Sequence, residues 1–365
     1  MPTAYVNARV FTGEQLLEDH AVISDQGRIT DVVPAATLPA GLDTIDLQGA
    51  FMAPALIDLQ IYGGNGKLFS LYPDVEALTA IYEYSKAGGA AYFMPTVATI
   101  SSDIMLKAIE AVREYWAQGL PGVLGLHLEG PFINPVKKGA HLSQYIRTPA
   151  QEDIDWILEN GSDVVKMITL APECCDPALV AQLREAGITV FAGHSNATYA
   201  QAYTSFNEGV HHATHLFNAM SPLESRAPGL VGAVYDHPQV YASVVADGIH
   251  VDFASIRISK KIMGQRLFLI TDAVEENHEG HYIYIREKDR YVSGTGVLSG
   301  SCLTMLQAVR NCVKNEVCSI REALRMASLY PARALGLDDR LGRIAAGCEA
   351  VFLVMPKNGE TVVYS

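Results

Sequence analysis

The sequence predicts a (β/α)8 barrel of the TIM type carrying a small β-sandwich domain built from its two ends. Three observations point there. Between residues 53 and 337, apolar runs of strand length alternate with helical stretches, the mark of βα units around a parallel sheet. Eight such runs can be counted, and eight strands with intervening helices over about 250 residues match the size of a closed barrel. Polar, reactive side chains follow the apolar part of strand after strand, as they do where strand ends converge on one mouth. That convergence separates the barrel from its rival, a doubly wound open sheet.

From Thr3 to Asp46, short alternating segments broken by Gly13, Gly27 and the Pro34 to Pro39 stretch read as hairpins. Met1 to Phe11 alternates polar and apolar residues, so it reads as a strand and not a signal peptide. Near the other end, Gly342 to Gly347 leads into a strand at Ala350–Val354, and Thr361–Tyr364 supplies a last one. Residues 1–52 and 338–365 are therefore expected to form the β-sandwich, and residues 53–337 the barrel.

The barrel strands are expected at Ala55–Ile61, Ala91–Val97, Val123–Leu128, Val164–Leu170, Ile188–Ala192, His211–Leu216, Tyr241–Ala246 and Leu267–Ile270. Helices at Asp74–Ala87, Ser102–Trp116, Thr148–Glu159, Pro177–Ala186 and Thr198–Asn207 fall between them, several opening on Ser, Thr or Asp as N-caps should. Two stretches exceed a minimal barrel. Asn134 to Arg147 is a polar insertion carrying Lys137, Lys138 and His141. Glu275 to Leu298 holds Tyr282-Ile283-Tyr284-Ile285 and Tyr291-Val292, the pattern of a hairpin. Long loops on a catalytic face shape substrate pockets.

Composition narrows the function. Forty acidic residues against 27 Lys and Arg leave a formal charge of -13, a field that repels nucleic acid and anionic membrane. An anionic ligand must then be met by locally placed cations. No run approaches the roughly eighteen apolar residues of a membrane span, and a soluble, cytoplasmic protein is expected. The six cysteines form no C-x-x-C pair and are expected to be reduced, mostly buried thiols.

Chemistry concentrates in three segments. His127-Leu128-Glu129-Gly130-Pro131-Phe132 ends an apolar strand on a carboxylate, while Gly193-His194-Ser195 and Thr214-His215-Leu216 each place an imidazole after another strand. One such histidine alone is more often a satisfied polar residue than a ligand. Glu129, His194 and His215 together give three metal-compatible side chains at three strand ends, and three protein ligands with an open position describe a catalytic site. Asp272 follows the eighth apolar run. A carboxylate there can cap the next helix; facing the barrel axis, it can take a proton from a cation-acidified water and return it to a leaving amine.

These motifs make a resemblance plain. His-Leu-Glu-Gly-Pro-Phe-Ile-Asn-Pro from His127, Lys-Lys-Gly-Ala-His ending at His141, Gly-His-Ser-Asn-Ala-Thr from Gly193, Thr-His-Leu-Phe-Asn-Ala-Met from Thr214, Ala-Asp-Gly-Ile-His-Val from Ala246 and Leu-Ser-Gly-Ser-Cys-Leu-Thr-Met from Leu298 occur in one order over almost the whole chain. In that order the chain resembles the N-acetylglucosamine-6-phosphate deacetylase family of the amidohydrolase superfamily. The resemblance implies hydrolysis of the N-acetyl group of a phosphorylated amino sugar, giving the free amine and acetate, in amino-sugar catabolism and cell-wall sugar recycling. It assigns Glu129, His194 and His215 as metal ligands, Asp272 as general base then acid, and His141 as the imidazole that helps polarise the acetyl carbonyl. Asn218 and Ala219 are assigned to the sugar phosphate. Arg226 and His250 are assigned to the phosphate from across the interface of a homodimer. An arginine suits phosphate on chemical grounds, since its fork makes paired hydrogen bonds.

Many amidohydrolases carry His-x-His on the first strand to hold a second metal. Here Gln60-Ile61-Tyr62 stands instead, so one divalent metal ion per subunit is expected, zinc first, with iron(II) and cobalt among the alternatives. Tyr62 is open to two readings, a narrowed pocket or an added hydroxyl donor. His127, Lys166, His211, His212, His278 and His281 are set aside as structural or remote. Two rival functions stay in view: another amidohydrolase acting on a cyclic amide or aminated base, and a non-catalytic barrel.

Overall fold

The computed structural model describes residues 2–357 and 361–364; Met1, positions 358–360 and Ser365, all counted in the terminal domain above, lie outside the described residues. Eight strands form one parallel sheet in strict sequence order: Leu56–Ile61, Ala90–Ala98, Leu126–Glu129, Val165–Leu170, Thr189–Ala192, His212–Ala213, Tyr241–Val245 and Leu267–Ile270. The first and eighth strands meet at a seam, where the Tyr62 N–H donates to the Ala273 carbonyl at 2.8 Å and the Asp272 N–H to the Gln60 carbonyl at 3.0 Å. The sheet thus closes, and the residues that follow its strands share one mouth.

The strands are nearly continuous apolar runs because both faces are covered, by barrel interior on one side and helices on the other. Helices Val75–Ala87, Ser102–Ala117, Gln151–Gly161, Pro177–Glu185, Tyr199–Asn207, Gly229–Asp236 and Phe253–Met263 form much of the outer ring. Asp74, Asp176, Thr198 and Asp252 cap four of them through side-chain oxygens that accept N–H groups of the first turn.

Three expected boundaries move, each for a local reason. The third strand begins at Leu126 and not Val123, because Gly125 adopts φ +146, a backbone that interrupts the ladder. The helix expected from Thr148 starts at Gln151, after Pro149, with the Asp153 carboxylate accepting the Ala150 N–H at 2.9 Å. The sixth strand shrinks to His212–Ala213, because His215 turns left-handed at φ +37.

The ends of the chain build a second, six-stranded sheet, in which Thr3–Phe11 lies between Leu16–Asp25 and Asp43–Pro54, and Phe352–Met355 joins on the far side of Asp43–Pro54. Tyr5, Val10, Val22, Ile29, Met52, Phe352 and Val354 give it a core of its own. The Glu275 to Leu298 insertion contains the expected hairpin: Tyr284–Glu287 pairs antiparallel with Arg290–Ser293, and Leu298–Ser301 adds a third strand. Tyr282 falls just outside it, over the mouth.

Candidate active site

The mouth opens into a cavity of about 200 Å³ whose wall carries Tyr62, Glu129, His141, His194, His215, Asn218, Ala219, His250 and Asp272. Gln60 stands directly behind this wall, fully buried. The structure therefore gathers the expected site residues from seven separate segments, with one exception. Arg226 is exposed on the loop after the sixth strand and takes no part in this chain's cavity.

Local backbone explains the convergence. Glu129 ends the third strand, and Gly130 at φ +86 turns the chain where any Cβ would collide with the Thr99 hydroxyl. His194, His215 and Asp272 each lie two residues beyond their strands, with φ of +47, +37 and +54. Left-handed backbone at a residue other than glycine costs on the order of 1–3 kcal/mol and persists only where surrounding bonds enforce it. Here the His194 carbonyl accepts the Asn134 N–H at 2.9 Å, and the His215 N–H donates to Ser243 Oγ at 2.8 Å.

The two oxygens of Glu129 face different partners. Oε1 lies 3.0 Å from His215 Nε2 and 3.3 Å from His194 Nε2, and those two nitrogens are 3.1 Å apart. Oε2 accepts the Tyr62 hydroxyl and, at 3.0 Å, His141 Nε2. Hydrogen-bond partners settle two of the three imidazole tautomers. His194 Nδ1 lies 2.9 Å from the Lys137 carbonyl, which only accepts, so Nδ1 carries the proton and Nε2 presents a lone pair. His141 is the reverse: the Thr99 backbone N–H donates to its Nδ1 at 3.2 Å, so its proton sits on Nε2. Glu129, His141 and His194 also approach within 4.8 Å of one another, but His141 is the donor of that trio. Glu129 Oε1, His194 Nε2 and His215 Nε2 lie within 3.3 Å of one another, one oxygen and two imidazole nitrogens, a set of ligand atoms that suits a divalent cation.

Electrostatics sort the carboxyls. Burial drives Glu129 upward, but the His194 and His141 imidazoles outweigh it and hold the group well below the usual carboxylate range. Loss of solvent pushes Asp272 up to about 8, with His215 opposing the rise and Glu129 reinforcing it. Burial and the charges of Glu129 and Asp272 keep Tyr62 well above the normal phenol range, so it remains a hydroxyl.

The seam supports the site from below. Gln60 Nε2 lies 3.0 Å from both Glu129 Oε1 and Asp272 Oδ1 and 2.7 Å from Tyr62 Oη. Underneath, Asp58 accepts the backbone N–H groups of Gln60 at 3.2 Å and Thr271 at 3.1 Å, together with the Thr271 hydroxyl. Its burial pushes that carboxyl up to about 6.

His250 requires a correction. Expected to arrive from a partner subunit, it stands in the wall of its own chain's cavity. Asp247 is the cause: Oδ1 accepts the N–H groups of Ile249 and His250, and Oδ2 holds His250 Nδ1 at 2.6 Å, folding the loop back over the mouth. Asn218 and Ala219 line the same cavity, and Asn218 Nδ2 is buried without a protein partner among the described residues.

His127 is the buried structural residue anticipated, between Thr169 Oγ1 at 2.8 Å and Thr96 Oγ1 at 3.3 Å, with burial pushing it down to about 4. Lys166 points away, to the Ser162 carbonyl. Sequence reasoning missed Tyr282, Tyr284, Val274 and Ser299 in the cavity wall. A signal existed for the tyrosines: spaced two apart in an extended segment, they share a face, and their rings stack with centroids 6.0 Å apart.

Comparison with known proteins now carries the identification. Residues 51–363 match the Amidohydrolase family, and residues 4–52 match the NagA composite domain. The chain belongs to the amidohydrolase family. Within it, the chain takes its place among the N-acetylglucosamine-6-phosphate deacetylases, as the sequence motifs led us to expect. It is 38% identical to the N-acetylglucosamine-6-phosphate deacetylase of Haemophilus influenzae, the alignment covering 99% of this chain and 97% of that one. An N-acetylgalactosamine-6-phosphate deacetylase from Escherichia coli is 33% identical over 94% of this chain and 92% of its own. Among solved structures, N-acetylglucosamine-6-phosphate deacetylase from Pasteurella multocida superposes with a TM-score of 0.93 at 35% identity, covering 99% of this chain and 97% of the other.

Proposed function

We propose that this chain hydrolyses the N-acetyl group of N-acetyl-D-glucosamine 6-phosphate, releasing acetate and D-glucosamine 6-phosphate. The observation that carries this reading is the meeting of Glu129 Oε1, His194 Nε2 and His215 Nε2 beside Asp272 in one cavity. It is supported by relatives whose named substrates are acetylated, phosphorylated amino sugars.

Glu129, His194 and His215 are the residues that would hold one divalent cation per chain, zinc being our first choice. Bound there, such a cation supplies Lewis acidity, making water easier to deprotonate and the acetyl carbonyl easier to attack. Asp272 takes the proton of the attacking water, whose oxygen bonds to the acetyl carbon. Once protonated, it delivers that proton to the amide nitrogen as the carbon–nitrogen bond breaks, so the sugar leaves as an amine and the acyl group as acetate. His141 donates its Nε2 proton to the developing oxyanion, which requires it to relax its hold on Glu129 Oε2.

Asn218 Nδ2, the Ala219 backbone and His250 form the phosphate side of the cavity. Arg226 completes it from the partner chain of a homodimer, consistent with its exposure here. Residues 53–337 act as the catalytic unit, with residues 1–52 and 338–365 as its terminal companion. No helix among the described residues is long and apolar enough to cross a membrane, and we assign the enzyme to the cytoplasm.

Metal analysis joined to an acetate-release assay tests the reading. Substantial turnover of N-acetylglucosamine 6-phosphate, much slower turnover of the unphosphorylated sugar and loss of activity on chelation are expected. Faster turnover of the galactosamine isomer would move the assignment to that branch. Activity unaffected by exhaustive chelation would overturn the cation-dependent chemistry.

A further inference from the structure

We infer that Tyr62 is a positioning residue that holds Glu129 to a one-oxygen grip on its cation and, with Gln60, fills the place on the first strand from which a second cation would be ligated; the inference rests on the cation site proposed above. Gln60 in the first strand and Tyr62 just past its end are two residues apart, and their side chains meet on one face, with Gln60 Nε2 2.7 Å from Tyr62 Oη. The Tyr62 hydroxyl donates to Glu129 Oε2 and accepts from Gln60 Nε2 at 2.7 Å, so the hydroxyl is spent on the amide and the carboxylate, while Gln60 Oε1 is left without a partner among the described residues. Oε1 lies 3.3 and 3.0 Å from the nitrogens of His194 and His215, and 3.0 Å from Gln60 Nε2.

Tyr62 also has a part that no other residue in the site can take. Glu129 Oε2 has two donors, Tyr62 and His141. When His141 turns its proton toward the acetyl oxygen, Tyr62 alone keeps Oε2 from swinging toward the cation. Its ring is positioned for this, 6% exposed, with its backbone pinned on both sides by the Ala273 carbonyl and the Phe69 N–H, each at 2.8 Å. The structure thus favours the donor reading of Tyr62, and the ring narrows the cavity as well.

Zinc titrations of the full chain, read by chelator competition and by metal content after gel filtration, test this. The unaltered chain and Gln60→His should each bind one zinc per chain, whereas Gln60→His/Tyr62→His should bind two, because Oε2 is then free to bridge. Tyr62→Phe should bind one zinc about tenfold more weakly, the scale typical of removing a group that orients a metal ligand, with the melting temperature of the zinc-free chain little changed. It should also lower kcat more than it raises KM. Two zinc ions in Gln60→His, one in the folded double variant, or undiminished affinity in Tyr62→Phe would each overturn the role of Tyr62 while leaving the cation site intact. No zinc in the unaltered chain would remove both.

Discussion

The barrel mouth has two unlike halves. On the side of the third, fifth and sixth strands, Glu129, His194 and His215 bring one carboxylate oxygen and two imidazole nitrogens within 3.3 Å of one another. At the seam of the first and eighth strands, Gln60, Tyr62, Asp58 and Thr271 are knitted by short hydrogen bonds, and Asp272 is tethered to Gln60. Buried polar groups are stable when paired and costly when not. The first half is therefore built to receive a charge, and the second to hold a base beside it.

The largest expected effect comes from breaking the charge-receiving half. Glu129→Gln removes the only anionic ligand and should weaken zinc binding more than about 100-fold, beyond what loss of a supporting group costs, and abolish measurable acetate release. Calorimetric titration with zinc checks the first and a coupled assay the second. Breaking the proton-carrying half should look different. Asp272→Asn is expected to keep its zinc while turnover drops by roughly 10²–10⁴-fold, the usual contribution of a positioned general base. Metal content and steady-state rates on one preparation distinguish the two variants.

A third change sharpens the comparison by leaving both halves intact. Arg226→Ala should raise KM for the phosphorylated sugar about tenfold, the scale of one exposed charge-assisted hydrogen bond to phosphate, with kcat little changed. Mixing it with Asp272→Asn subunits should restore the low KM in heterodimers. Demonstrated subunit exchange with no recovery would refute contribution in trans.

The smallest effect is a slope. In the cation-free chain Asp272 is raised to about 8 and Asp58 to about 6, both above their unfolded values. Between the unfolded and folded values the native chain binds more protons, so stability falls as pH rises. The melting temperature of the chelated protein should decline between about pH 6.5 and pH 8, above the range in which the lowered His127 opposes the trend, and Asp272→Asn should flatten that decline. A melting temperature that climbs through this range in the chelated chain would contradict the assigned shifts.

Much of this was legible in the residues. Strand-length apolar runs and capped helices located the barrel, because periodicity reports burial directly. The convergence of Glu129, His194 and His215 on one cavity was legible because each of these polar groups follows an apolar run. What stayed hidden depends on backbone angles and tertiary distances. Nothing in Gly193-His194-Ser195 or Thr214-His215-Leu216 announces left-handed histidines, yet those angles shorten the sixth strand and aim the imidazoles. His250 was sent to the wrong subunit, since the Asp247 loop that folds it inward depends on three hydrogen bonds within the loop. Tyr62 was noticed as a departure, but its partner lies on another strand, 67 positions away.

The central claim is that one cation sits among Glu129 Oε1, His194 Nε2 and His215 Nε2, with Asp272 facing it. A crystal of the zinc-loaded chain, examined at the zinc absorption edge, tests this most directly. The account predicts one anomalous peak per chain, about 2.0–2.2 Å from each of those three atoms. A peak bound by His141 in place of His215, or no peak at the barrel mouth in a zinc-saturated crystal, would contradict it.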